Sequence, residues 1–401
     1  MAREKRINKA ASVLVALGIV VAVMLFFFVP FVPRSGKAEP FTVRVRLMKD
    51  SRGFDVSVKG KCAVQDIGTE EALEETIAMP EGTKVLPEKA GIKIGKKLLV
   101  GAERVRLSPL QEECVGVNGK LYRGQIDLVK IAEGLDVINR VELEDYLKGV
   151  IPKEMHQFWP FAVIEAQSIA SRSFAVYQAL RRKSKEYDLA ADTFSQVYGG
   201  RSAEKWRTSR AVQATRGKVL VYEGKVFPAY FHSTCGGHTQ DALRLWGIDL
   251  EPLKGVRCPW CRWSPYYRWR KRLSAKTILN ALKKRGYAHI RRIDDVREGA
   301  RDASGRLEYV RIRSGKDWFD MSSEDFRSAV GKSVLKSSNF RIKKYPFFYL
   351  FNGHGWGHGV GMCQWGAFGL SLKGRNAAKI LEYYYPGTKV EKLTEVLGTR
   401  D

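Results

Sequence analysis

The hydrophobic and polar positions of the chain change period along its length, and each period predicts a different element. Residues 10–33 form a long apolar run without a charged side chain, preceded by a basic segment at 1–9. About 20 apolar residues can span a bilayer as a helix, with the basic end held in the cytoplasm. We therefore predict a transmembrane signal anchor at 10–33, with the chain after Arg34 outside the cytoplasm. A cleaved signal peptide is the alternative.

A period of two follows the apolar run. In FTVRVRL the residues Phe41, Val43, Val45 and Leu47 alternate with polar residues, and similar short segments follow between turns. Such alternation is typical of strands with one buried face. We predict a small β-rich N-terminal domain at 34–119, a second domain at 120–395 and a tail at 396–401.

A helical period begins at residue 143. Leu143, Leu147 and Val150 recur at helical spacing, and Gly149 and Pro152 are expected to end this first helix at about Val150.

A second, alanine-rich helix is predicted to start at Pro160, because proline is favoured in a first helical turn. Its apolar face includes Ala162, Val163, Ala166, Ile169 and Ala170. Small residues allow close packing, so we expect an α+β fold with mixed β-strands around this buried alanine-rich helix.

Glu154 lies between the two predicted helices, beside Met155, Phe158 and Trp159. A carboxyl group in an apolar pocket has its charged form disfavoured, which raises its pKa towards values useful for a general acid. The alternative is a solvated loop residue or a helix cap.

Several ordered motifs between about Leu121 and Leu393 resemble those of the stage II sporulation protein D family. They are NRVELEDYLKGVIPKEM at 139–155, EAQSIASRSFA at 165–175, QVYG at 196–199, HSTCGGHT at 232–239, WGHGVGMCQWGA at 356–367 and YYYPGT at 383–388. The resemblance implies a cell-wall protein. With the predicted anchor at 10–33 as a single span of the cell membrane, we expect the second domain in the extracytoplasmic space.

The resemblance also implies a reaction. Enzymes of this family are lytic transglycosylases that cleave peptidoglycan between N-acetylmuramic acid and N-acetylglucosamine and leave a 1,6-anhydro end. Glu154 would be the single acid and base, and no cofactor would be required for this chemistry. Other members are amidase enhancers, which bind peptidoglycan and activate a separate cell-wall amidase without catalysis.

Further polar and aromatic residues in these motifs and the following segment are candidates for binding the glycan strand. They are Gln167, Arg172, Tyr198, Tyr267, His358 and Gln364. Gln167 and Arg172 have a structural alternative, as buried polar groups satisfied by the backbone or as a support for the Glu154 segment. For His358 and Gln364 the alternative is a tight structural turn built on the alternating glycines from Gly353 to Gly361.

The six cysteines predict a metal site rather than a disulfide scaffold. Cys235, Cys258 and Cys261 supply three thiolates, and His238, or alternatively His232, would complete a structural zinc site. A Cys258–Cys261 disulfide or three free thiols are the alternatives. Cys62 and Cys114 could pair or remain buried thiols.

The chain is strongly basic. Its formal charge is +26, from 69 basic and 43 acidic residues, which predicts attraction to polyanions such as acidic cell-wall polymers, anionic lipid or nucleic acid. Because no nucleic-acid-binding motif accompanies the charge, we do not expect a nucleic-acid partner. A plain wall anchor held by this charge is a third hypothesis, and it predicts salt-sensitive binding.

Overall fold

The computed structural model describes residues 40–111, 113–182, 185–191 and 196–398. Within them, the first predicted strand is confirmed. Strand β1 (Thr42–Ser51) buries Val43 and Val45, while Phe41 and Leu47 pack half-buried against the same core. The alternation of the sequence therefore becomes the inner face of a sheet.

Strand β1 belongs to an eleven-stranded sheet with the order β11-β1-β10-β9-β6-β2-β3-β4-β5, in which β7 pairs with β2 and β8. The pairings are antiparallel except between β1 and β11. The other strands of this sheet are β2 (Phe54–Asp66), β3 (Ala72–Glu88), β4 (Gly91–Ile94), β5 (Lys97–Val100), β6 (Arg104–Pro109), β7 (Cys114–Val117), β8 (Lys120–Arg123), β9 (Gln125–Ile131), β10 (Gly134–Glu142) and β11 (Leu189–Ala190).

The predicted boundary between residues 119 and 120 falls inside this sheet. It lies in the turn of the β7–β8 hairpin, and β1 pairs along its length with β10. The predicted tail likewise begins inside a helix, where Val396 is buried. The predicted division at 119–120 therefore does not match the sheet. The sequence does not reveal this, because pairing between strands far apart in the chain leaves no local signal.

The helices of the described residues cover the rest of the core. They are α1 (Leu143–Glu154), α2 (Phe161–Arg181), α3 (Trp206–Ala214), α4 (Ala242–Trp246), α5 (Ala275–Lys284), α6 (Ser323–Val330), α7 (Gln364–Ser371), α8 (Ala377–Tyr384) and α9 (Leu393–Gly398), with 3-10 turns at Arg201–Ala203, Glu251–Leu253 and Pro259–Trp263. The predicted α+β class and the buried alanine-rich helix are confirmed: α2 begins one residue after Pro160 and contacts α1, α3, α7 and α8.

Smaller sheets complete the chain. Their strands are β12 (Lys218–Tyr222), β13 (Lys225–Val226), β14 (Phe231–His232), β15 (Arg268–Leu273), β16 (Asp295–Glu298), β17 (Tyr309–Ser314), β18 (Asp317–Ser322), β19 (Phe340–Lys344), β20 (Tyr349–His354), β21 (Met362–Cys363) and β22 (Lys389–Lys392). Strands β14 and β21 form a parallel pair, which sets His232 opposite Cys363. The elements from β15 to β20 enclose a second hydrophobic core around Phe326 and Phe351.

None of the helices in these described ranges is long and apolar enough to cross a membrane. The predicted anchor at 10–33 lies outside the described residues. Cys62 and Cys114 are buried and carry free thiols.

Candidate active site

Glu154 is the last residue of α1, so the prediction that this helix ends at about Val150 is wrong. Proline removes one helical hydrogen bond, but it does not remove the bonds made by later residues. After Pro152 the N–H of Met155 still donates to the carbonyl of Ile151 at 3.1 Å. The buried Val150 and Ile151 hold this last turn against the core, and Glu154 thereby has a helical position instead of a loop position.

Gly149 has a different role from the predicted helix stop. A Cβ atom at this position would lie 2.6 Å from Cε2 of Tyr198 and 2.8 Å from the carbonyl oxygen of Gly200. The N–H of Gly199 donates to the Gly149 carbonyl at 3.1 Å. The absent side chain therefore lets the segment 196–200 pack directly on α1, beside Glu154.

Glu154 lines a cavity of about 600 Å³. The walls of the cavity come from the end of α1, the C-terminal half of α2, strand β14 and the glycine-rich segment before α7. The lining residues are Lys153, Glu154, Phe174, Gln178, Val197, Tyr230, Phe231, His232, Ser233, Trp246, Trp356, Gly357, His358 and Gln364. Among the described residues that line it, Glu154 is the one carboxylate, and aromatic rings form much of the remaining wall.

The surroundings of Glu154 favour its protonated form. Loss of hydration raises the pKa of Glu154 to about 7, although hydrogen bonds with the Val197 backbone and the Gln364 side chain oppose the shift. A carboxyl group with this pKa is part protonated near neutral pH and is suited to act first as an acid and then as a base.

Gln364 is held towards Glu154 by a chain of amides. Its Nε2 donates to Oε1 of Gln167 at 3.3 Å, and Nε2 of Gln167 donates to Oγ of Ser171 at 3.0 Å. Gln167 is fully buried and does not line the cavity. Of these two predicted site residues, Gln364 faces the cavity and Gln167 supports it from behind.

His358 lines the cavity, but both of its ring nitrogens are occupied. Nδ1 accepts a hydrogen bond from the N–H of Val360 at 3.1 Å, which leaves Nε2 to donate to the carbonyl of Phe231 at 2.9 Å. Burial lowers the pKa of His358 to about 3. His358 is therefore a neutral group that joins the glycine-rich segment to β14.

His232, in contrast, has a hydrogen-bond partner at only one of its two ring nitrogens. Its Nδ1 lies 3.0 Å from the carbonyl of Val360 and must donate, while its buried Nε2 has no hydrogen-bond partner. Burial lowers the pKa of His232 well below its usual value. His232 is therefore a neutral imidazole whose acceptor nitrogen is buried without a partner.

Arg172 and Tyr198 lie behind the cavity wall. The Arg172 guanidinium is fully buried and pairs with the Glu144 carboxylate through Nε–Oε1 at 2.9 Å and Nη2–Oε2 at 2.8 Å. The Tyr198 hydroxyl donates to Oδ1 of Asn139 at 2.9 Å. Tyr267 is half-buried near His354, with 5.9 Å between the ring centroids. None of these predicted binding residues is among the described residues that line the cavity.

The predicted metal ligands are brought together with one change. Cys235, Cys258 and Cys261 are joined by Cys363, and the four sulfur atoms lie within 4.8 Å of one another. His238 is turned away, with Nδ1 2.7 Å from the Thr239 carbonyl, and His232 lines the cavity. The fourth member is therefore Cys363 and not a histidine, because the pairing of β14 with β21 brings residue 363 to this place.

Several known proteins are similar to this chain in sequence. A family model described as stage II sporulation protein matches residues 132–222, and a domain of unknown function, DUF8618, matches residues 261–361. An uncharacterized protein of Brachyspira hyodysenteriae is 31% identical over 349 residues, which cover 87% of this chain and 92% of the relative. The stage II sporulation protein D of Bacillus subtilis is 29% identical over 334 residues, 79% of this chain and 89% of that protein.

The chain belongs to the stage II sporulation protein D family. An amidase enhancer of Bacillus subtilis is also similar, at 29% identity over 288 residues, 60% of this chain but 40% of the enhancer. These relationships support a cell-wall-related role. The matched range 132–222 contains Glu154 and α2, and the range 261–361 covers the second hydrophobic core.

Several lining residues of this family member were not predicted from its sequence. Tyr230 and Trp246 have ring centroids 4.8 Å apart, and Trp246 and His358 have centroids 4.9 Å apart. Trp356 lies in the family motif at 356–367 and Ser233 in the motif at 232–239, so membership in these motifs is the sequence signal for both residues. Trp246 lies at the end of α4, and nothing in its local sequence marks it as part of the site.

Proposed function

We propose that the protein is a membrane-anchored murein lytic transglycosylase. It cleaves the bond between N-acetylmuramic acid and N-acetylglucosamine in glycan strands and leaves 1,6-anhydro-N-acetylmuramic acid ends. The observation that carries the proposal is Glu154, which lines a cavity of about 600 Å³ with a pKa raised to about 7.

The proposed reaction has two proton transfers through the same carboxyl group. Protonated Glu154 gives its proton to the glycosidic oxygen as the bond from that oxygen to C1 of the muramic acid breaks. The resulting carboxylate then takes the proton of the C6 hydroxyl of the same sugar while its oxygen bonds to C1. Glu154 ends protonated, as it began, and no cofactor or water molecule is consumed.

The composition of the cavity supports an internal nucleophile. Glycosidases that use water or a covalent intermediate require two carboxyl groups. Among the lining residues that the structure describes, Glu154 is the one carboxylate. An intramolecular attack by the C6 hydroxyl needs only this one.

The other lining groups suit a sugar substrate whose stem peptide has been removed. The rings of Tyr230, Trp246 and Trp356 offer apolar faces to a sugar ring. Removal of the peptide leaves a free lactyl carboxylate on the muramic acid. Lys153, exposed at the edge of the cavity, supplies a cation for it.

The test uses the full chain purified in detergent and incubated with peptide-free glycan strands, with mass spectrometry of the products. Wild type is expected to produce anhydro-ended fragments. Glu154→Gln should reduce the rate by about 100- to 10,000-fold, because the amide cannot transfer the proton. The matched control is Glu165→Gln, since Glu165 is a half-buried carboxyl on α2 with a raised pKa and is not a lining residue.

Two results would contradict the proposal. Reducing ends in place of anhydro ends would indicate hydrolysis by water. An unchanged rate in folded Glu154→Gln would remove this residue from the chemistry.

Similarity to an amidase enhancer favours a second candidate function. In that case the protein binds peptidoglycan and activates a separate cell-wall amidase without cleaving glycan. No cleavage of stripped strands or intact sacculi by folded wild type, together with stimulation of an amidase by both wild type and Glu154→Gln, would favour this candidate.

We also propose that residues 10–33 anchor the protein as a single membrane span with the domain containing Glu154 outside the cytoplasm. The apolar run without charge and its basic N-terminal flank support the proposal. Such an anchor would hold the catalytic domain next to the wall.

A further inference from the structure

Four buried cysteine side chains meet at one point beside the cavity. Cys235 follows β14, Cys258 and Cys261 flank the start of a 3-10 turn, and Cys363 ends β21. All four thiols are free and fully buried, and their sulfur atoms lie within 4.8 Å of one another, with Cys235 and Cys261 at 3.5 Å. Three separate segments thus contribute to one sulfur cluster.

Backbone N–H groups point at these sulfur atoms. The N–H of Cys235 donates to Sγ of Cys363 at 3.2 Å, and the N–H of Gly366 donates to the same sulfur at 3.3 Å. The N–H of Gly237 donates to Sγ of Cys235 at 3.4 Å. Such donors stabilise thiolates, which are the form of cysteine that binds a metal.

A buried cation lies beside the cluster. The Arg306 guanidinium is fully buried, and it donates to the backbone carbonyl of Cys235 at 2.9 Å and to that of His238 at 3.2 Å. Over the ranges that the structure describes, no carboxylate lies within ion-pair distance of this guanidinium, and its Nε has no hydrogen-bond partner. Burial lowers the pKa of Arg306, and the negative charges of Cys235, Asp302 and Glu324 oppose this shift. Because a buried charge is costly unless negative groups lie near it, a thiolate cluster beside Arg306 is electrostatically favourable.

We propose that Cys235, Cys258, Cys261 and Cys363 form a structural zinc site with tetrahedral sulfur coordination. Zinc–sulfur bonds of about 2.3 Å at tetrahedral angles set sulfur atoms about 3.8 Å apart, which matches the spacing of this cluster. Binding of Zn²⁺ to four thiols releases four protons and leaves a centre with a net charge of −2. This negative centre would lie beside the buried guanidinium of Arg306 and stabilise its positive charge.

The site has a structural role because protein sulfur occupies all four coordination positions and none remains for substrate. Its ligands adjoin the cavity wall: Cys363 precedes Gln364, and Cys235 lies two residues after Ser233. The pair Cys258 and Cys261 leads into the segment with the second core. The metal would therefore join the two cavity strands β14 and β21 to the base of that segment.

The experiment measures metal content in the full chain, purified in detergent with a reductant and without added chelator. Elemental analysis is expected to find about one zinc per chain. Replacement of the metal with Co²⁺ should produce the thiolate-to-cobalt absorption of tetrahedral sulfur coordination. Both readouts are independent of glycan cleavage, so they test the site even if the proposed function fails.

Matched variants locate the ligands. Cys363→Ser is expected to weaken metal binding by more than about 100-fold, since loss of a ligand costs more than loss of a supporting group. Cys62→Ser is the control, because Cys62 is another fully buried free thiol but belongs to β2 and not to the cluster. It should retain the metal content and the cobalt spectrum of wild type.

Three results would overturn the proposal. They are metal-free wild type that also fails to bind Zn²⁺ or Co²⁺ after reduction, a disulfide among these four cysteines in freshly purified protein, and unchanged metal binding in Cys363→Ser. The first two outcomes do not depend on whether the variant folds, because they are measured on wild type.

Discussion

At the scale of single residues, the proposed chemistry depends on opposing influences on the pKa of Glu154. Loss of hydration raises its pKa, whereas the hydrogen bond from Gln364 lowers it by stabilising the carboxylate. The larger influence is the loss of hydration, and the pKa reaches about 7. Gln364 therefore adjusts the acid as well as holding the cavity wall.

The proposed reaction starts from protonated Glu154, so its rate should decrease as pH rises. With the pKa at about 7, kcat/KM is expected to halve near that pH and then to fall about tenfold for each further pH unit. Gln364→Leu removes the hydrogen bond that lowers the pKa, which should move this alkaline limb to higher pH. Initial rates on stripped glycan strands across the pH range measure both effects.

A suitable control is Gln178→Leu, which changes another glutamine that lines the cavity and is not among the groups that shift the Glu154 pKa. It should leave the position of the limb unchanged. A limb that shifts to lower pH in Gln364→Leu would contradict the assigned role of the hydrogen bond.

At the scale of elements, a buried ion pair sets the position of α1 against α2. Glu144 in the first turn of α1 pairs with Arg172 in α2, and Arg172 also donates to the carbonyl of Lys218 at 3.0 Å. The N–H of Gly217 donates to Oε1 of Glu144 at 3.0 Å. Because Glu154 is at the other end of α1, this network supports the Glu154 carboxyl from a distance.

Arg172→Ala should therefore reduce stability rather than substrate binding. Removing one partner leaves the Glu144 carboxylate buried without its cation, at a cost of about 3–5 kcal/mol in the free energy of unfolding. Urea unfolding of the full chain in detergent measures this cost. The Glu144→Leu, Arg172→Met double variant should recover much of it, since apolar replacement of both charges leaves no unpaired ion. A cost below about 1 kcal/mol for Arg172→Ala would show that the pair behaves like a solvated one.

At the scale of the whole molecule, the large sheet unites the segments on both sides of residue 120, and a second hydrophobic core forms from β15 to β20. Cys258 and Cys261 lie where the chain leaves the cavity region for this second core. Strand β21 lies where the chain returns, and it pairs there with β14. The proposed metal would hold the cavity strands β14 and β21 in place. The proposed anchor would limit the distance between the protein and the membrane.

The anchor predicts that the full-length protein stays in the membrane fraction after an alkaline carbonate wash. Val21→Asp combined with Val23→Asp should release it or block its insertion, because each central aspartate costs about 2.5–3.5 kcal/mol in a membrane helix. Glu4→Gln leaves the apolar run unchanged and should retain the protein. A shortened, freely released wild type would instead indicate a cleaved signal peptide.

The sequence by itself determined the features whose causes are local. Alternation in β1 marked the buried Val43 and Val45, and Pro160 marked the start of the buried helix. Asn376 caps α8 by accepting from the N–H of Lys379 at 3.0 Å, and asparagine is a residue type that favours this position in any helix. The position of Glu154 beside apolar residues likewise indicated its raised pKa.

Only the tertiary structure decided the features that depend on distant partners. Gly149 lies inside a helix because Tyr198 needs the space of its side chain, and Pro152 is tolerated because the last turn is packed against the core. The fourth member of the sulfur cluster is Cys363 and not the predicted histidine, because a parallel strand pair joins residues 231–232 to 362–363. Such contacts are set by packing between remote segments, and no local pattern of residues encodes them.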